Sequence, residues 1–254
     1  MLSVPTYIAA IWGVHCAMVS FGVVMGLDSA YARLARADKH FAELEALHAE
    51  LCEAQAKATI IQTNPGAVVG PGEVVQLMSV DNTGHPPVPE SCGILAGDVA
   101  NSLRTALNYL VIQLAILNTG IKGRNQFPIE ETPEGFQGNS FGKRGFLNGL
   151  TPAHIAAIEG LQPYNGCDWI RALGKISNFD KHEDLIMVVH NQILSGQMVT
   201  EPATDGSAVN FQMQIHIQPV LRITLDNGMS LIETLQRIKS NVSQLLDTFK
   251  PEFK

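Results

Sequence analysis

The chain has 254 residues, enough for one large domain or two small ones with a well-buried core. A hydrophobic content of 46% with 16% charged residues excludes a disordered protein. The formal net charge of -7 argues against a dominant nucleic-acid-binding surface and leaves room only for a local basic site, the tightest groups being Arg33/Arg36/Lys39 and Lys143/Arg144.

No Asp, Glu, Lys or Arg precedes Asp28, and Tyr7 to Val24 is almost wholly apolar, interrupted mainly by Gly13, His15, Ser20 and Gly22. That run is marginally long enough to span a membrane, which takes about 20 apolar residues. It lacks the basic leader of a signal peptide. Three readings stay open for residues 1–24: an extension ahead of a natural start at Met25-Gly26-Leu27-Asp28, a membrane segment, or a core helix. Residues 25–254 read as a single domain with no repeat and no linker. Its expected place is the cytoplasm, unless residues 7–24 anchor it in a membrane.

From Ser29 to about Ala58, Leu34, Ala37, Phe41, Leu44, Leu47 and Leu51 fall at helical spacing with charges on the other face, which predicts an amphipathic helix. Thr59–Gln62 and Val74–Met78 read as short strands around Asn64-Pro65-Gly66 and Gly70-Pro71-Gly72. Ser91 to Leu117 is a second long helix, and Gly120 to Gly149 is a glycine-rich surface excursion without periodicity. Thr151-Pro152 opens a third helix, with Thr as N-cap and Pro in the first turn. Asp168 to about Met187 is one or two more helical pieces. Phe211, Met213, Ile215 and Ile217 alternate with polar residues, as do Leu221, Ile223 and Leu225, which predicts strands. A last helix carries Leu231, Leu235, Ile238, Val242, Leu245 and Leu246 on one side. The predicted fold class is therefore α+β: a bundle of four or five helices with a small antiparallel sheet from the Thr59–Met78 and Val209–Leu225 regions.

Cys16, Cys52, Cys92 and Cys167 lie far apart and form no C-x-x-C pair, so they read as reduced, mostly buried thiols. The histidines show no H-x-H or H-x3-H pair; no metal site and no cofactor is implied.

Two polar runs carry the candidate chemistry. On the second helix Val99, Leu103, Ala106, Leu107, Leu110 and Leu114 form an apolar arc, and Asp98, Asn101, Arg104, Thr105, Asn108 and Tyr109 make most of the opposite one. A solvated face is normally rich in Glu and Lys; this one has a single Arg among Asn, Thr and Tyr. Such a stripe suits a buried hydrogen-bonded seam or a cleft, because buried polar groups must be satisfied. The second run is Asn178-Phe179-Asp180-Lys181-His182-Glu183-Asp184, where Asn178, Lys181 and His182 share one helix face. A mixed charged turn of this kind is usually solvated surface; in a site, His182 would carry a proton and Lys181 would bind an anion. If Asp180 accepts from Arg104, the two runs share one polar cleft.

Together the runs Asn101–Leu110 and Asn178–His182 resemble a family of uncharacterised bacterial and phage proteins, over about Asp28 to the last helix. The family's first run commonly reads R-S-A-L-D-H, an Arg and a His separated by four residues, which is similar to the active-site motif of HEPN-domain ribonucleases and toxins. The resemblance implies a helical domain that dimerises and, in catalytic members, cleaves RNA without metal. Arg104 stands at the cation position, but Tyr109 stands where the His would be, and Thr105 replaces the usual polar residue after the Arg. Tyrosine, with a pKa near 10, is a poor base at neutral pH. The leading expectation is a non-catalytic or degenerate HEPN-like domain acting by self-association or by binding a protein or RNA partner. Beside it stand a metal-independent ribonuclease using Arg104, Lys181 and His182, with Asp98, Asn101, Asn108, Tyr109, Asn178 and Asp180 as binding residues, and a membrane-anchored accessory protein.

Overall fold

The computed structural model describes residues 26–58, 60–63, 78–81, 87–182, 188–190, 195–201, 210–216, 222–224 and 228–253. Among them are six α helices: α1 (Asp28–Ala58), α2 (Glu90–Thr119), α3 (Pro133–Phe141), α4 (Pro152–Glu159), α5 (Asp168–His182) and α6 (Leu231–Phe249).

The α+β expectation is overturned: the described body is a helical bundle and contains no sheet layer. Among the described residues the strands form three separate antiparallel pairs, Ile60–Thr63 with Met78–Asp81, Val188–His190 with Arg222–Thr224, and Ser195–Glu201 with Asn210–His216. The expected joining of the 59–78 and 209–225 regions into one sheet is not found. A two-stranded pair lacks the face on which a core can be built. Among the described residues the buried apolar side chains come from the helices, their flanks and the 120–150 stretch. The helices bury their apolar stripes on one another.

The centre of the bundle is α2. Cys92, Ala96, Val99, Ala100, Leu103, Ala106, Leu107, Leu110, Val111 and Leu114 are all fully buried. That arc is wider than one neighbour can cover, and α1, α5 and α6 all pack on it. α2 stops at Gly120, whose φ of 72° is the left-handed conformation of a helix cap, with its N–H on the Ile116 carbonyl at 2.7 Å.

α1 presents Ala30, Ala37, Phe41, Leu44 and Leu51 to the core, the stripe its periodicity predicts. It runs antiparallel to α2: the Gly26 N–H faces Gln113 Oε1 at 3.4 Å, and one helical stretch later Arg33 lies 5.9 Å over the Tyr109 ring. α6 is antiparallel to α1 in turn, with Tyr31 on Asp247 at 2.6 Å and Asp38 on Lys239 at 3.0 Å. Ser230 caps α6 by accepting from the Glu233 N–H, and Leu231, Leu235, Ile238, Val242 and Leu246 form its buried stripe.

The 120–149 excursion also departs from expectation. It contains α3, capped by Thr132 with Pro133 in the first turn, and it sends Phe127, Phe136 and Leu147 into the core. It is therefore a packed part of the bundle rather than a surface loop. Thr151 caps α4 as its Thr-Pro signature predicts. Cys52, Cys92 and Cys167 are free thiols, and burial pushes the Cys92 and Cys167 thiols above their usual range.

Candidate functional site

The polar stripe of α2 faces α5 and the excursion. Arg104 is half-buried, and its Nη1 donates to Ser177 Oγ at 3.1 Å. Ser177 is fully buried and donates its own hydroxyl proton to the Gly174 carbonyl at 3.2 Å. Burial lowers the Arg104 pKa from its usual value, and the Glu130 carboxylate opposes that shift. Glu130 is in turn held by Asn139, whose Nδ2 donates to Oε1 at 2.5 Å. The Glu130 N–H donates to Oε1 of the fully buried Gln162 at 3.0 Å, and the Gln162 amide donates to the Ile158 carbonyl.

One helical turn further along α2, Asn108 accepts the Phe127 N–H at 2.9 Å, which fixes the entry of the excursion. Thr105 donates to the Asn101 carbonyl at 2.7 Å inside the helix. Asn101 and Asp98 are half-buried, and Asp98 lies six residues, about 9 Å, along the axis from Arg104. Tyr109 is half-buried under the Arg33 guanidinium.

The structure places Arg104 against Ser177, the residue immediately before the second run. Asn178 itself is exposed. The side chains of Asp180, Lys181 and His182 lie outside the described residues, and with them the expected acceptor for Arg104. The hydrogen bond of Arg104 goes to Ser177.

Sequence reasoning missed Ser177, Glu130, Asn139 and Gln162. For Ser177 there was a signal: with Ile170, Leu173 and Ile176 it occupies the buried stripe of α5, and a hydroxyl on such a stripe needs a partner. Glu130 and Asn139 sit in a stretch without periodicity, where no pattern marks the inward face.

Chemically, the arrangement is a hydrogen-bonded seam with one cation, one carboxylate and neutral amides. One guanidinium N–H donates to an internal hydroxyl, and the Glu130 carboxylate acts on its charge. Among the described residues no helix is long and apolar enough to cross a membrane. The chain matches no protein-family model, no curated protein and no solved structure.

Proposed function

We propose that this chain is a non-catalytic, degenerate HEPN-like helical domain of the cytoplasm that acts by self-association or by binding a partner. The observation that carries this reading is the engagement of Arg104. A catalytic cation must be free to meet a developing phosphorane charge. Here the half-buried guanidinium already donates to Ser177, and the Glu130 carboxylate acts on its charge from within the protein. The group at the position of the expected general base is the phenol of Tyr109, with Arg33 across its ring. A phenol is a poor general base for a 2′-hydroxyl at neutral pH.

Self-association is the expected mode, since HEPN-like bundles pair through their helices and closed two-fold dimers are the commonest assembly. The test uses the purified chain with labelled single-stranded RNA in a chelator, beside sedimentation over micromolar concentrations. No cleavage and a dimer are expected. Metal-independent cleavage that is lost in Arg104→Met, with melting unchanged, would overturn the non-catalytic reading. A species of 27.5 kDa at every concentration would remove self-association.

A further inference from the structure

Several groups left unused by that reading gather at one end of the bundle. α2 ends at Thr119 and α3 at Phe141, and the backbone beyond each is held against the same short segment. The Gln126 N–H donates to the Phe146 carbonyl at 3.3 Å. The Asn125 amide donates to the carbonyls of Phe146 and Asn148 at 3.2 and 2.7 Å, and Asn118 reaches the Gly149 carbonyl at 2.9 Å. Arg124 and Arg144 each lie two residues from the Gln126–Phe146 junction, a chain reach of at most about 7 Å apiece.

Lys122, Arg124, Lys143 and Arg144 are all exposed, and none of them enters an ion pair among the described residues. Ile121 and Phe141, exposed by 71% and 44%, stand in the same two segments. Complementing the helix dipoles does not explain the cations. That effect fades beyond the last turn, and Arg144 lies 5.8 Å over the Phe146 ring rather than on a helix end.

The N-terminal side of the chain leaves from the same end. Gly26 lies against Gln113, six residues or about 9 Å along the axis from the end of α2. In sequence the apolar run Tyr7–Val24 directly precedes this glycine. On the neighbouring helix ends Asp247 accepts from the Tyr31 hydroxyl, Glu252 pairs with His154 at 2.6 Å, and Asp28 sits in the first turn of α1, where the dipole favours it; these keep their negative charge beside the four cations.

The geometry points to an anionic lipid bilayer as the partner of this end, with the four cations on lipid headgroups and Ile121 and Phe141 entering the acyl boundary. Stable attachment takes two signals, and this end combines a basic–apolar surface with the departure point of an apolar run. A single-stranded nucleic acid would use the cations and stack on Phe141, but it would leave Ile121, the more exposed of the pair, in water. The inference goes beyond the binding-domain reading and does not depend on it.

The test is sedimentation of the full chain with phosphatidylcholine vesicles, with and without about one third phosphatidylserine. Binding is expected to be stronger on the anionic vesicles and to weaken with salt. Lys143→Gln/Arg144→Gln should lower that partition about thirtyfold, at about fivefold per cation near an anionic surface. Ile121→Ser/Phe141→Ser should weaken binding to both kinds of vesicle, with circular dichroism unchanged in each variant. Equal binding of every variant to both vesicles would mean that the apolar run anchors alone, and it overturns the inference. Failure to bind either vesicle does the same. So does binding of an oligouridine probe that the charge variant abolishes while anionic vesicles are ignored.

Discussion

Replacing Arg104 separates its charge from its stem. The guanidinium contributes a charged hydrogen bond to Ser177, a type worth about 1.5–3 kcal/mol when nothing opposes it. Burial opposes it, as the lowered pKa records. Removing the group also leaves no buried orphan: Ser177 keeps the Gly174 carbonyl and Glu130 keeps Asn139. Arg104→Met, which retains the apolar stem, should therefore lie within about 1 kcal/mol of the wild type. Arg104→Ala also loses two half-buried methylenes, about 0.8 kcal/mol each, and opens space beside Ser177, for a total of about 2–3 kcal/mol. For a domain of this size that is a fall of roughly 5–10 °C in Tm. Urea unfolding followed by far-ultraviolet circular dichroism measures both variants. If neither moves stability by more than about 0.5 kcal/mol, Arg104 is solvated and the seam described above does not exist.

Gly174 on α5 tests the close packing of the excursion. A methyl there would stand 2.9 Å from Cγ2 of Ile129, so Gly174→Ala should cost about 1–3 kcal/mol by overpacking. Its combination with Ile129→Ala should cost clearly less than the sum of the two single changes; strict additivity would show that the residues do not touch. Tyr31 and Tyr164 are each pushed from 10.0 up to about 12 by burial and by their bonds to Asp247 and Glu159. The folded state thus holds these protons more tightly than the unfolded chain does, and the stability involved is present below pH 10 and lost as pH rises towards 12. Spectrophotometric titration should show two late phenols, and Tyr31→Phe should remove one of them; a single transition at the ordinary value would refute the pairing.

The long helices were legible because each pairs a stripe with a boundary signal: Leu34 to Leu51 in α1, Thr151-Pro152 ahead of α4, and the run from Leu231 to Leu246 in α6. α3 was not legible, since nine residues including Gly135 and Gly138 cannot display a period. Its Thr132-Pro133 start repeats the Thr-Pro signature of α4 and was the cue that went unused. The sheet was over-read from alternation and turn signals, although alternation specifies only that a segment has two unlike faces and not what covers them. For the site, the scarcity of Glu and Lys around Arg104 and Asn108 was visible in the chain itself. Their partners were not: Ser177 is 73 positions away from Arg104, and Asn108 is matched by a main-chain group of Phe127 that every residue type would offer.

The antiparallel contact between the first and last helices has a kinetic consequence. Tyr31 and Asp247 are separated by 216 positions, whereas the bonds that fasten the excursion to α2 and α4 span 19 to 32. Closing a short loop is fast and loses little chain entropy, so the segment from α2 through α5 is the natural nucleus. α1 packs chiefly on α2, and α6 on α2, α5 and α1, so each adds to that nucleus mainly through helices already in it. The same adjacency places the start of α1 and the end of α6 at one end of the bundle, where Lys250 lies 5.4 Å over the Tyr31 ring.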